Sequence, residues 1–244
     1  MRTGVIASLL WKELRQIGRN RTAMLTASLL PFVILFLAPI QILVSMKLGG
    51  QSGQKMPPFP GFTDTDPMQL IVQFLYPLLL VLGGLMLPSL TTTYAIVAER
   101  ERRSLELLVS LPVTVSEILV AKLASVLVVT AIIGVPYIAI VITLLLVLGI
   151  ADLSVIPFLL APFLGAVACS TAIALLLTLL ARDFRTANNL NGAFFVPALF
   201  VSIGTLSAVG GPARTYVLAL VLFALAALAT LAALKWVSFE RYLE

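Results

Sequence analysis

The stretch TYVLALVLFALAALATLAAL, residues 215–234, decides the fold. It carries no charge, and most of its positions are Ala, Leu or Val. A helix of about 20 apolar residues is long enough to cross the hydrocarbon layer of a membrane. A strand of a transmembrane barrel would instead alternate apolar and polar residues, and this run does not. We therefore interpret it as a membrane-spanning helix.

The rest of the chain repeats this pattern. Five further uncharged runs, each of membrane-spanning length, occupy residues 22–46, 67–98, 123–151, 153–181 and 186–213. The single cysteine, Cys169, lies within one of these runs, and we interpret it as a packing residue. The 244 residues are 60% hydrophobic and 11% charged, with a mean hydropathy of +1.10, which is outside the range of soluble domains. The sequence predicts an all-α membrane protein with six transmembrane helices.

The positions of the basic residues predict the topology. With six spans, most of them fall on one side of the membrane, and the other side receives Lys47, Lys55 and Arg214. Because Lys and Arg accumulate in cytoplasmic segments, we expect both termini in the cytoplasm of a multi-pass protein of the plasma membrane. The same bias explains the net charge of +5, so nucleic acid is not a predicted partner.

Residues 5–21, VIASLLWKELRQIGRNR, precede the first run and have an amphipathic pattern. At helical spacing, one stripe holds Ile6, Leu10, Leu14 and Ile17, and the opposite one holds Lys12, Arg15 and Arg19. This pattern predicts an interfacial helix in the inner leaflet. A basic flank that only fixes the topology is the alternative.

The residue types needed for several kinds of chemistry are missing from the runs. The chain has no histidine, and none of the six runs contains Asp, Glu, Lys or Arg. Proton relays and intramembrane proteases need such groups, so neither is predicted. There is no glycine-rich phosphate loop, so we do not expect the chain to bind ATP by that route. We expect no catalytic residue, metal or cofactor on this chain. Uphill transport would take its energy from another polypeptide.

The charged segment ERERRSLELLVSLPVTVSEILVAK, residues 99–122, separates the second and third runs and must lie in water or among the lipid headgroups. It resembles the stretch that follows the second span in permeases of the type-two ABC exporter family. The matching positions are Glu99, Arg100, Glu101, Leu105, Glu106, Leu108, Pro112, Glu117 and Lys122. Arg103 and Ser104 stand where the family commonly has Gly and Thr.

The resemblance implies a single permease domain over residues 1–244, divided into an interfacial helix (1–21), a six-helix bundle (22–238) and a cytoplasmic tail (239–244). It also implies a cytoplasmic coupling helix between spans two and three that docks on an ATPase. The docking residues would be Glu99, Arg100, Glu101, Ser104, Leu105, Glu106, Leu107 and Leu108. Apolar leucines beside a charged rim suit such a contact.

The partners implied by the resemblance are two cytoplasmic ABC ATPase subunits, which would carry ATP and Mg²⁺, and a second copy of this permease or a related one. The chain itself would be a transport subunit of an exporter and not an enzyme. Polar residues along the interface between copies would line the pathway, namely Thr91, Thr92, Thr93, Asn188, Asn189 and Asn191. Contacts between helices are the alternative role for such residues.

Two other functions stay open at this level. A stand-alone secondary carrier or channel would use the charged segment as a gate or a lipid anchor. A non-transporting membrane subunit would recruit an ATPase without moving a solute.

Overall fold

A computed structural model describes residues 7–12, 14–15, 40, 70–101, 115–149, 152–180, 184–211 and 213–236. Side chains within these ranges are described except at 93–101, 115–119, 178–180, 184–185, 187–188 and 234–236. The predicted first span, apart from residue 40, lies outside this set, as do the loop that follows it and residues 102–114, which include most of the predicted docking segment 99–111.

Every regular element in the described part of the chain is helical, which confirms the all-α class. A π-helical turn, Ile71–Leu75, leads into α1, and four more helices follow. The long helices are α1 (Tyr76–Glu101), α2 (Val115–Val147), α3 (Val155–Leu180), α4 (Phe184–Ala208) and α5 (Arg214–Trp236).

Five helices among the described residues are long and apolar enough to cross a membrane. Their apolar portions are Ile71–Thr92, Val120–Val147, Val155–Leu177, Asn189–Ala208 and Arg214–Ala233. These portions fall on the second to sixth uncharged runs, so five of the six predicted spans are found as helices. The remaining predicted span, residues 22–46, stays a prediction.

The π-helical turn at the start of α1 has a local cause. Tyr76 donates its backbone N–H to the Ile71 carbonyl, five residues back. Pro77 comes next, and a proline has no N–H to donate and clashes with the carbonyl four residues before it. Widening the preceding turn removes that clash, which is how π-bulges commonly arise inside longer helices.

The connection between α2 and α3 is a tight antiparallel hairpin, in keeping with the short separation of the uncharged runs 123–151 and 153–181. α2 ends at Val147, and Gly149 follows with a φ of 65°, a left-handed conformation that suits glycine at a helix end. α3 begins at Val155, whose N–H donates to the Asp152 carbonyl over 3.0 Å. The short connection makes the two helices neighbours in the bundle.

The core is built around α3. This helix packs against α1 on one side and α5 on the other. A methyl group on Gly84 of α1 would stand 2.9 Å from the Ala166 Cβ, and one on Gly165 would stand 3.0 Å from the Ala219 carbonyl oxygen of α5. These small residues let three helix backbones approach closely, as small residues do in membrane bundles.

Cys169 is a core residue of α3. Its side chain is fully buried in the cluster that α1, α3, α4 and α5 form together. It is the chain's single cysteine and carries a free thiol. The packing role predicted for it is confirmed.

The N-terminal segment is helical where it is described, at residues 7–12 and 14–15. Leu10 and Leu14 are half-buried, whereas Lys12 and Arg15 are exposed. This sidedness agrees with the amphipathic pattern of residues 5–21. Its placement at the membrane interface stays a prediction.

Candidate functional site

The two helix ends that flank the predicted docking segment lie at one end of the helix bundle. α1 stays helical through Glu101 and α2 begins at Val115, and the two helices pack against each other as antiparallel neighbours. Glu99, Arg100 and Glu101 therefore occupy the last turn of α1. The structure thus fixes where the segment leaves the bundle and where it returns.

The central part of the docking segment lies outside the described residues. This part includes Ser104, Leu105, Glu106, Leu107 and Leu108, so their docking role stays a prediction. The stretch 102–114 connects two helix ends at the same face of the bundle.

Two of the predicted pathway residues on α1 are buried and have hydrogen bonds within their own helix. Thr91 is 4% exposed and donates to the Leu87 carbonyl over 2.6 Å, and Thr92 is 1% exposed and donates to the Pro88 carbonyl over 2.7 Å. A hydroxyl that bonds back to its own helix is already satisfied in an apolar environment. The side chain of Thr93 is outside the described set.

The other predicted pathway residues lie in the first two turns of α4. Asn189 is exposed, Asn191 is 4% exposed and has bonding partners, and the side chain of Asn188 is not described. Because successive spans alternate in direction, the start of α4 and the end of α1 are at the same end of the bundle. The two polar groups therefore share one end with the docking segment.

A buried lysine stands beside this end of the bundle. Lys122, in the third turn of α2, is 1% exposed and is among the largest fully buried side chains. The sequence places it at the edge of an apolar run, where a lysine is expected to reach the headgroups. The only sequence signal for its burial is that it continues a row of residues four apart with Val126, Thr130 and Gly134.

A direct hydrogen bond between two helices was not predictable from the sequence. The Ser170 hydroxyl of α3 donates to the Leu85 carbonyl of α1. Leu85 is three residues before Pro88, and the bond lies one turn from the Gly84–Ala166 contact. It joins the central helix of the bundle to the helix that leads into the docking segment.

Metal-binding residues do not cluster in the described part of the chain. No group of three or more His, Cys, Asp or Glu side chains is positioned there to hold an ion. The arrangement described so far is an apolar helix bundle, and the charged segment 99–103 follows directly on its first long helix.

Comparison with known proteins decides the family. A family model described as "ABC-2 family transporter protein" matches residues 7–219. The chain belongs to the ABC-2 transporter family. Searches of the curated proteins and of the solved structures found no match.

Membership in this family confirms the resemblance drawn from residues 99–122. ABC-2 proteins are the membrane permease components of ABC transporters and work with ABC ATPase subunits. The chain is therefore a multi-pass transport subunit and not the ATPase of its system. The stand-alone carrier or channel loses its support, because a permease of this family has an ATPase partner.

Proposed function

We propose that this ABC-2 permease is the membrane subunit of an ATP-driven exporter and that residues 99–111 are the surface on which a separate ATPase subunit docks. The observation that carries the proposal is the position of the segment between the ends of α1 and α2. ATP and Mg²⁺ would bind to two such ATPase subunits. In this arrangement the membrane is the plasma membrane, and both termini of the chain are cytoplasmic.

The packing of α1 supports a mechanical role for this helix. α1 is continuous over 26 residues from Tyr76 to Glu101. It touches α3 through Gly84 and bonds to it through the Leu85 carbonyl. A force on the docking segment would thus displace the end of α1. Because packed helices shift as units, α1 would pass this displacement to the core helix α3.

A second permease completes the transporter in this proposal. Six spans are too few to enclose a pathway with twofold symmetry, and a dimer of this chain or a pair with a related permease would supply twelve. The pathway would follow the interface between the two copies. Among the predicted pathway residues with described side chains, Asn189 is the exposed one, and we place it at the cytoplasmic mouth.

The experiment tests docking and transport with charge and polarity changes in the segment. Glu106→Arg and Leu108→Asp should reduce recovery of the ATPase with the purified permease, and transport in reconstituted vesicles should be lost. Disrupting a central interface residue costs about 2 kcal/mol, which corresponds to roughly a 30-fold loss of affinity. Insertion into the membrane should be unchanged.

Matched control variants are available at the opposite end of the bundle. Asp152 and Leu153 lie in the exposed turn between α2 and α3. Asp152→Arg and Leu153→Asp make similar chemical changes there and should leave ATPase binding intact. Normal ATPase binding by both docking variants would refute the docking assignment. ATP hydrolysis in vesicles that move no solute would instead favour a non-transporting subunit.

A further inference from the structure

Thr130 of α2 has a buried hydroxyl group that makes no hydrogen bond. Its side chain is 1% exposed, and its Oγ1 has no hydrogen-bond partner among the residues that the structure describes. Six other threonines donate over 2.6–2.8 Å to the carbonyl four residues back in their own helix, namely Thr91, Thr92, Thr143, Thr171, Thr205 and Thr230. A buried hydroxyl without a partner lowers the stability of the arrangement that contains it.

Thr130 lies on the side of α2 that meets α1. The two helices touch at Gly134, where an added methyl group would stand 3.6 Å from Leu87 Cδ1. Thr130 precedes Gly134 by four residues, and on α1 Thr91 follows Leu87 by four. Because the helices are antiparallel, both threonines lie about 6 Å from the contact toward the docking segment, and each is turned only about 40° from it. The two buried threonines therefore stand at one level on facing sides.

Thr91 offers an acceptor at this level. Its hydroxyl donates to the Leu87 carbonyl over 2.6 Å, which uses its hydrogen. A hydroxyl oxygen that donates still has lone pairs with which to accept. Thr130 has a hydrogen to donate, and in this arrangement it does not reach Thr91. A displacement of one helix against the other would bring donor and acceptor together.

α1 has a weak point for such a displacement at Pro88. Proline has no N–H, so the Gly84 carbonyl lacks the donor that a helix ordinarily supplies four residues later, and helices commonly kink at this defect. Side-chain hydroxyls support the backbone around it by donating to three carbonyls, those of Leu85, Leu87 and Pro88. Such hydroxyls are the usual replacement for helix bonds lost inside a membrane.

Pro88 also separates two parts of α1 that are held differently. The part before it is fixed to α3 by the close approach at Gly84 and by the hydrogen bond to the Leu85 carbonyl. Thr91 and the docking end of the helix come after it. A bend at Pro88 would therefore move Thr91 relative to α2 while the contact of Leu87 with Gly134 stays in place.

We propose that α1 bends at Pro88 during transport and that Thr130 donates a hydrogen bond to the Thr91 hydroxyl in the bent arrangement. Thr130 is then a positioning residue that acts through α1. Its bond offsets part of the free energy of bending and makes the bent helix a defined second state. That a docked ATPase drives the bend rests on the proposed function.

Unfolding of the purified permease in SDS tests the resting arrangement without the ATPase. Thr130→Val should raise the SDS fraction at the midpoint, because valine has the same shape and no unpaired hydroxyl. Thr130→Ser keeps the hydroxyl and should not raise it. Thr143→Val is the matched control, since Thr143 is exposed on the same helix and already bonds to the Ala139 carbonyl. A lower midpoint for Thr130→Val would show that its hydroxyl is bonded at rest, directly or through water, and would overturn the proposal.

Disulfide formation in the complex with the ATPase tests the bend. The background is Cys169→Ala, which removes the only cysteine. The pair Thr91→Cys with Thr130→Cys should oxidise roughly fivefold faster with ATP and Mg²⁺ than without nucleotide, because a disulfide needs Cα atoms within about 7 Å. Ser89 is turned about 200° from Thr91, so Ser89→Cys with Thr130→Cys should react slowly in both conditions. An unchanged rate for the first pair during ATP hydrolysis would overturn the bend.

Transport in reconstituted vesicles tests the role of the bond. Thr130→Val should keep the ATPase bound and lower ATP-driven transport roughly tenfold, the effect of losing one buried hydrogen bond in a single state. Thr130→Ser should retain most of the transport. Normal transport by Thr130→Val with the ATPase bound would overturn this proposal alone. The proposed function fails by a different result, which is normal ATPase binding by Glu106→Arg and Leu108→Asp.

Discussion

Helices α3 and α4 are nearly equal in length and differ sharply in burial. α3 has 26 residues and α4 has 25, and each contains one proline beyond its first turn, Pro162 in α3 and Pro197 in α4. In the spanning portion of α3, 67% of the residues are buried within the protein, against 22% in α4. Apolar length explains why both cross the membrane. It does not explain why one is central and the other peripheral.

The difference comes from which small residues meet a partner. A methyl group added to Gly165 of α3 would stand 3.0 Å from the Ala219 carbonyl oxygen of α5, and one added to Gly84 of α1 would stand 2.9 Å from the Ala166 Cβ of α3. On α4, a methyl group on Gly192 or Gly204 would have nothing within 4 Å. Since lipid is as apolar as a leucine, close packing decides which helices associate in a membrane. A glycine marks an interface when a matching small residue stands opposite.

We expect the largest difference in stability between the two helices when one phenylalanine on each is replaced by alanine. Phe163 of α3 is 5% exposed and packs between Gly84 and Gly134, whereas Phe200 of α4 is 71% exposed. Phe163→Ala should lower the free energy of unfolding by about 3 kcal/mol, the low end for buried rings, because lipid can still solvate the exposed surface. Phe200→Ala should change it by less than about 0.5 kcal/mol.

Unfolding in mixed micelles with increasing SDS measures both phenylalanine variants under the same conditions. The two substitutions are chemically identical, so the comparison controls for the change in side-chain volume. Equal losses of stability would show that α4 is covered as fully as α3 in the working protein, and the contrast between the helices would then fail.

The fold was predictable from the sequence to the level of the spans. Five helices coincide with uncharged runs. A charged side chain in the hydrocarbon layer is so costly that membrane-spanning segments rarely contain one. The turn at Gly149 was also predictable, since a short polar connection between two long runs forces a hairpin. The central position of α3 was not predictable, because glycines are present on α3 and α4 alike. Only a three-dimensional contact tells a packed glycine from an open one.

An intermediate effect is expected at the glycines themselves. Gly165→Leu would drive a side chain into the Ala219 carbonyl oxygen and Cα, at 3.0 and 3.2 Å from the first added carbon. We expect a loss of about 2 kcal/mol, because backbone cannot move aside cheaply in a packed core. Gly204→Leu fills open space and should stay neutral or gain up to about 1 kcal/mol from its higher helix propensity.

The glycine pair is measured by SDS unfolding together with the yield of folded permease from membranes. A loss of stability in Gly204→Leu as large as that in Gly165→Leu would contradict the contrast between α3 and α4. It would mean that a partner surface covers the open face of α4 in the assembled transporter.

The candidate site was predictable in outline only. The motif in residues 99–122 led to the family, because its charge block, leucines and proline match together. The burial of Lys122 could not be predicted, since a lysine at the end of an apolar run ordinarily reaches the headgroups. The hydrogen bonds that Thr91 and Thr92 make within their own helix could not be predicted either. In a sequence, a threonine that lines a pathway looks the same as one in a packed interface.

The smallest expected effect concerns two buried serines with different bonding. Ser170 of α3 donates across to the Leu85 carbonyl of α1, and Ser202 of α4 donates to the Ala198 carbonyl of its own helix over 2.7 Å. Ser170→Ala removes a link between helices, and such links average about 0.6 kcal/mol in membranes. Ser202→Ala removes a bond that a helix keeps when separated from its neighbours, so it should cost less.

Because the effects are small, unfolding must be measured on paired samples at several SDS fractions. A larger loss at Ser202 than at Ser170 would show that α4 depends on its own contacts more than α3 does, and would reverse the order of the two helices.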